Sequence, residues 1–505
     1  MRNRTTKCAS SASGEEDVMG DGGPESPEQD IMLKAPAATP FPFEVRIRTS
    51  NASRVFELNG PDPAARAMVF LRHELAGREQ DDYLDLFERI SHTFGSRLPG
   101  NRKGGELPSF SAPYRVLLDS NVTPEIWYGY GDPAVTKVPD ERTGTGDWYY
   151  LFVTSNDAPN SFPILRSRTL DHWELSGFAF PEGQKPSWAE DGLNVSDYWA
   201  PEMHMAGGQF LLCFAAREKG RSLAIGLARS SRPEGPFESD DAPLITGGVI
   251  DPHLFVDSTG RTFLFWKEDT NDLWPSLLSA FLHDHAGMVE ILFPLADDQR
   301  TASLALVIWP WVRTLEPMER FLVQQVLIEA VVSDFSRFRQ RLRSLLEHEL
   351  PEDTRQALEG ILAALRTPVY AQEFDPQAHG LIGNKVVVLE NDQDWEAHLI
   401  EGIWIVEHSG RFYMFYSGND FSTPEYGTGV AVASSPLGPY RKMQGPLLRS
   451  TEEWMGPGHP SVAQGPDGNP WLFLHAFFPG QAGYKKFRAL LAVTISFDQE
   501  SVTLR

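Results

Sequence analysis

Three carboxylates stand at related places in this chain. Nine residues before Gly208, Gly260, Gly410 and Gly468 lie Trp199, Asp251, Glu401 and His459. Asp132 opens the equivalent segment ahead of Gly146, behind a longer turn over Pro139–Thr145. Isolated carboxylates are ordinarily solvated, but three that converge with a Trp and a His require a reason. One carboxylic acid and one carboxylate in a shared site can run general acid–base chemistry, and a third can tune the first by like-charge repulsion.

The elements that must position these residues are repeated. Gly146-Asp-Trp-Tyr-Tyr-Leu-Phe-Val, Gly208-Gln-Phe-Leu-Leu-Cys-Phe-Ala, Gly260-Arg-Thr-Phe-Leu-Phe-Trp-Lys, Gly410-Arg-Phe-Tyr-Met-Phe-Tyr-Ser and Gly468-Asn-Pro-Trp-Leu-Phe-Leu-His each join a turn glycine to an aromatic-rich run of strand length. The glycines are 62, 52, 150 and 58 residues apart. Three intervals suit one four-stranded propeller blade each, and the long one announces an insertion. The expected fold is all-β: a five-bladed β-propeller with an inserted helical segment and an N-terminal helical extension. Strands that begin alike in such a fold begin at one height around one axis, so the five residues above converge at one mouth of the channel. The turns Ser230-Ser-Arg-Pro-Glu-Gly-Pro-Phe237 and Ser434-Ser-Pro-Leu-Gly-Pro-Tyr440 also repeat.

Outside the repeats, residues 1–40 read as a disordered tail rich in Ser, Gly, Glu, Asp and Pro. Residues 41–109 read as a mixed extension, with one or two strands over 43–58, helices over 62–95 and a basic linker over 97–108. The propeller is expected over 110–505. The helical insertion is placed at about 285–375, its centre over 316–365, where Ile328, Val332, Phe335, Phe338, Leu342 and Leu345 follow the helical period. It could pack as a hairpin on the side of the propeller or stand as a wall over the mouth.

The 505 residues carry 45 basic and 69 acidic side chains, a formal charge of −24. That argues against phosphate backbones and anionic lipid as partners and suits a neutral ligand such as a sugar. Two cysteines, Cys8 and Cys213, imply no disulfide framework. Residues 1–30 lack the apolar core of a secretory signal, and no apolar run reaches membrane-spanning length, so the expected location is cytoplasmic.

Together these residues resemble glycoside hydrolase family 43, whose members are five-bladed propellers, over about 110–275 and 385–505. The resemblance implies that Asp132, in Gly-Asp-Pro-Ala-Val, is the general base. Asp251, in Val-Ile-Asp-Pro-His-Leu-Phe, raises the pKa of the acid, and Glu401, in Ile-Glu-Gly-Ile-Trp, is the general acid. Gly456-Pro-Gly-His-Pro-Ser461, Trp199-Ala-Pro-Glu202 and Arg488 match further motifs. Two features depart from the pattern: Ile403 replaces a frequent Pro after Glu-Gly, and the third blade carries the insertion.

An inverting hydrolase of this kind needs its two carboxyls about 6.5–9.5 Å apart, leaving room for the attacking water. The expected activity is hydrolysis of O-glycosidic bonds in pentose-containing oligosaccharides or polysaccharide fragments, of α-L-arabinofuranosidase or β-xylosidase type. A non-catalytic carbohydrate-binding propeller is one alternative. A retaining β-fructosidase is another, although Ile250 stands where that class typically has Arg before Asp-Pro. The candidate substrate-binding residues each have a second reading. Trp199 is a stacking platform or core, and Glu202 a sugar ligand or a strand-to-loop bond. Phe162, in Asn160-Ser-Phe-Pro, is a site wall or core. His459 is a channel or a packed histidine, and Arg488 a sugar-site or an exposed strand charge. No metal ligand set is read from the residues and no cofactor is required. The resemblance adds a structural calcium in the central channel near His459, although a lone His is no calcium site, since that ion takes oxygens.

Overall fold

A computed structural model of the chain describes residues 30–34, 44–49, 52–57, 110–140, 146–193, 195–315 and 317–505. The expected helices over 62–95 and the linker over 97–108 lie outside the described residues. Near the N-terminus, Asp30–Lys34, Glu44–Thr49 and Ala52–Glu57 form a three-stranded antiparallel sheet. The first of these strands falls within the expected tail, so that expectation fails there: Ile31, Met32 and Leu33 give it strand propensity and Glu44–Thr49 gives it a partner.

The rest is mostly sheet. The five repeated runs become the second strand of five successive antiparallel sheets: Asp147–Phe152, Gln209–Arg217, Thr262–Glu268, Arg411–Gly418 and Pro470–Phe477. All five turn glycines have φ between +73° and +86°, a conformation closed to most side chains. These strands are buried along most of their length, which is why they read as continuous apolar runs rather than alternating ones. The first strands are Ala134–Pro139, Tyr198–Ala206, Val249–Val256, Ile400–His408 and Met455–Gln464. Each touches the first strand of the next sheet, and that of the fifth touches that of the first. Apolar clusters join first sheet to second, second to third, third to fourth, fourth to fifth, and fifth to first. Arg115–Leu118, far from the fifth sheet in sequence, pairs with its strand Ala489–Asp498. The two repeated Gly-Pro turns precede equivalent short outer strands, Glu238–Ser239 and Arg441–Lys442.

The insertion lies between the second and third strands of the third sheet and comprises six helices rather than a hairpin: α1 (Leu273–Asp284), α2 (Met288–Leu292), α3 (Ala296–Val312), α4 (Pro317–Val332), α5 (Phe335–Leu346) and α6 (Glu352–Ala364). It starts earlier than expected, at Leu273, and Pro368–Asp375 is not helix but the third strand of the sheet. The boundary was misplaced because Val369, Ala371 and Phe374, the buried residues of that strand, are set by its pairing with Thr262–Glu268, which sequence period alone does not reveal. On α5, Phe335, Phe338, Leu342 and Leu345 form one buried stripe, with arginines on the other faces. The helices share their own core around Trp274, Leu278, Leu282, Phe338, Leu342 and Ile361; among the described residues, Ala397 alone joins it from outside.

Candidate active site

In or just before each first strand lies a residue in the left-handed region: Asp132 (φ 52°), Ala200 (46°), Asp251 (56°), Gly402 (59°) and His459 (52°). Counting nine residues back therefore selects the equivalent position in the third and fifth repeats and goes one residue too far in the second and fourth. Four of the five residues carry a β-carbon, and each such residue costs on the order of 1–2 kcal/mol in this region. The surroundings hold them there. The Asp132 N–H donates to His475 Nδ1 (3.1 Å), that of Ala200 to Thr154 Oγ1 (2.9 Å), that of Gly402 to Asp251 Oδ2 (2.8 Å) and that of His459 to Ser417 Oγ (2.7 Å). Each acceptor comes from the neighbouring sheet, so the strand starts are tied to one another in sequence around the site.

Asp132, Asp251, Glu401, Trp199, His459 and Arg488 all line one cavity of about 1220 Å³. Asp132 is the most heavily held of them. Its Oδ1 accepts from Arg488 Nη1 (2.8 Å) and faces His459 Nδ1 (3.3 Å), and its Oδ2 accepts from Thr154 Oγ1 (2.5 Å). Burial alone would favour the protonated acid, but Arg488, His459 and the Thr154 hydroxyl outweigh it and hold the carboxyl well below the usual range. His475 accepts the Asp132 N–H and is itself pushed strongly down by burial and Arg488, so it stays neutral. Burial also works against a charged His459, yet Asp132, Asp251, Glu202 and Glu401 overcome it and raise its pKa.

Glu401 is in the opposite state. Its Oε1 accepts from Tyr426 Oη (2.8 Å), and its Oε2 lies 3.4 Å from Lys267 Nζ. Burial raises its pKa, Lys267 opposes, and Asp251 raises it further, to about 7. One cavity thus holds a carboxylate that stays ionised and a carboxylic acid that is protonated up to near neutrality.

Two candidates lie elsewhere. Phe162 is fully buried between the first and second sheets, packed on Phe180, Tyr198 and Phe214, and does not line the cavity. Its aromatic neighbours from both sheets made core the better use of it. Glu202 does not line the cavity either. It is buried, with Oε2 at 2.6 Å from His253 Nδ1 and 3.1 Å from His204 Nε2, and burial raises its pKa to about 7. These three residues bring their polar atoms within 4.8 Å of one another. His253 Nε2 accepts the Ile405 N–H (2.9 Å), so Nδ1 carries the proton and donates to Glu202, leaving that ring no lone pair for a metal. Calcium takes six to eight oxygens. One carboxylate and two imidazoles do not fit it, and the Asp132 oxygen that faces the His459 ring already accepts from Arg488.

Sequence reasoning missed Lys267, Thr154, Tyr426 and His475. Lys267, Ser417 and His475 occupy the last position of three repeats, where the others end in apolar Val153 and Ala215. Polar residues ending otherwise apolar buried strands were the available signal.

The insertion also reaches the cavity. Leu273 and Ser276 of α1, Trp309 of α3 and Arg320 and Phe321 of α4 line it. The helices therefore form a wall of the site and are not confined to the outside of the sheets.

Residues 129–290 and 362–502 match Glycosyl hydrolases family 43. That is more than half of the chain, which belongs to this family. The stretch between the two matched segments holds most of the insertion. The chain is 36% identical over 83 residues to the protein "Xylosidase/arabinosidase 43A" of Humicola insolens, matching 16% of this chain and 24% of that protein. It is 20% identical over 308 residues to a "Xylosidase/arabinosidase" of Bacteroides ovatus, covering 60% of this chain and 71% of the relative. Among solved structures, a thermostable family-43 glycoside hydrolase superimposes with a TM-score of 0.50 at 24% identity, over 75% of this chain and 93% of that one. Among the described residues no helix is long and apolar enough to cross a membrane.

Proposed function

We propose that this protein is an inverting glycoside hydrolase acting on pentose-containing saccharides, of α-L-arabinofuranosidase or β-xylosidase type. The observation that carries the reading is that Asp132, paired with Arg488, and Glu401, buried against Lys267 and Tyr426, line one cavity. Glu401 gives its proton to the leaving oxygen as the glycosidic bond breaks. Asp132 takes a proton from the water that attacks the anomeric carbon from the opposite face. Asp251 sets the acid's pKa by charge. The names of the two curated relatives supply the choice of pentoses. In this reading the five sheets are the blades of a propeller within a catalytic unit spanning 110–505. The apolar clusters between successive sheets, the contact of fifth with first, and the pairing of Arg115–Leu118 onto the fifth support it.

A panel of 4-nitrophenyl pentosides and hexosides tests the proposal. Turnover of α-L-arabinofuranoside or β-D-xyloside at rates well above the hexosides is expected. Sugar binding without turnover of any member would point to a non-catalytic lectin instead.

A further inference from the structure

The insertion is pinned to the side of the cavity that holds the acid. Gln325 of α4 is buried and its side-chain amide donates to Ser422 Oγ (2.9 Å) and to both Asp420 oxygens (3.3 Å each). That loop carries Phe421 and leads to Tyr426, whose hydroxyl holds Glu401. Arg320 of α4 forms a two-pronged bond to Asp272, at 2.7 and 2.8 Å, fixing α4 against the start of α1. Phe321 precedes Gln325 by four residues and so stands on the same helix face. The same polar pins thus deliver Phe321 to the cavity wall, which Trp309 also lines.

An acid catalyst protonates the leaving oxygen, so the departing group must lie on the side of Glu401. The insertion's share of the lining sets Leu273, Trp309 and Phe321 beside Ser276 and the paired Asp272 and Arg320. Phe421 lines the cavity as well, and Leu273 is half exposed at 50%. Leu193 and Val195, which also line the cavity, are 64% and 51% exposed. Branched aliphatic side chains offer a sugar neither a flat stacking face nor a hydrogen bond. They do offer a ring-bearing apolar group a dry seat.

We infer that the insertion builds a leaving-group subsite selecting glycosides whose departing group is apolar and ring-bearing, rather than a second sugar. This rests on the glycosidase reading above and deepens it. The test compares three unactivated leaving groups on the preferred pentose: methyl, 2-phenylethyl and a second pentose. Methanol and 2-phenylethanol are alcohols of similar acidity, so leaving-group reactivity does not sort those two. In the wild-type protein kcat/KM for the 2-phenylethyl glycoside should exceed that for the methyl glycoside by about tenfold, through KM. It should also exceed that for the disaccharide. Trp309→Ala and Phe321→Ala should each bring the phenylethyl-to-methyl ratio toward one. A variant that is merely damaged loses activity on both substrates and leaves the ratio where it was, which counts against the proposal. So does a wild-type ratio near one, or preference for the disaccharide. Turnover of none of the 4-nitrophenyl glycosides would instead remove the underlying glycosidase reading.

Discussion

Lys267 Nζ lies 3.4 Å from Glu401 Oε2, fully buried and without a hydrogen-bond partner among the described residues. Asp251, whose Oδ2 holds the backbone of Gly402, repels the same carboxyl. The acid therefore sits between a cation that lowers its pKa and an anion that raises it, on top of a burial effect larger than either. The two neighbours should be separable. The active form needs Glu401 protonated, so activity falls as pH rises through its pKa, near 7 in the wild type. Asp251→Asn keeps an acceptor for the Gly402 N–H and removes the negative charge; the alkaline limb of kcat/KM should move down by about a unit. Lys267→Met keeps the length and removes the positive charge; the limb should move up by a similar amount. Shifts of the same sign in both variants would break the assignment.

Gly131 precedes the proposed base because Arg488 passes over it. A β-carbon there would lie 1.9 Å from the Arg488 guanidinium. Gly131→Ala should displace that group from Asp132, the strongest force holding the carboxyl ionised. In the wild type, Asp132 stays charged well below the usual carboxylate range, so the acid limb of the profile lies at low pH. In the variant Asp132 titrates higher and the acid limb should move upward, with kcat/KM lower by about tenfold or more. A pH profile superimposable on the wild type would show that Arg488 does not set the charge of Asp132.

The insertion leaves and rejoins the third sheet between strand partners. Lys267 is paired with Val369, so the sheet needs only a tight turn there. The helices also carry their own core. Replacing 269–367 by Asn-Gly should leave a chain that melts cooperatively and keeps the sheet signature in circular dichroism. Collapse into aggregates, with no cooperative transition, would make the helices part of one indivisible core.

The sheets were legible because five turn glycines and five buried aromatic runs repeat, three of the four intervals lying between 52 and 62 residues, each signal local. Asp132, Asp251 and Glu401 were legible from the same repeats. What failed were properties that depend on contacts far apart in sequence. Phe162 meets Phe214 from the next sheet, and Glu202 meets His253, so neither faces the cavity. The end of the insertion depended on Val369 pairing with Lys267, 102 residues earlier. Lys267 was visible as an odd ending to an apolar run, but its target, Glu401, appears only when the third and fourth sheets are set side by side.

Asp132 and Glu401 should fail differently when removed. Each supplies a proton transfer worth about 10²–10⁴-fold. On an oligosaccharide or alkyl glycoside both Asp132→Ala and Glu401→Ala should lose most of that rate, since a poor leaving group needs protonation and the water needs a base. A 4-nitrophenyl or dinitrophenyl leaving group departs with little protonation, so Glu401→Ala should retain far more activity on it. Asp132→Ala should not, because water activation is required whichever group leaves. The alkaline limb should disappear in Glu401→Ala on the activated substrate, since the group that titrates near 7 is gone. Proton NMR of the wild-type reaction should show the inverted anomer first, before mutarotation mixes the two. Retention at the first time points would require a carboxylate attacking carbon directly, and Asp132 would then be a nucleophile rather than a base. Equal losses for Glu401→Ala on both kinds of leaving group would take Glu401 out of the acid role.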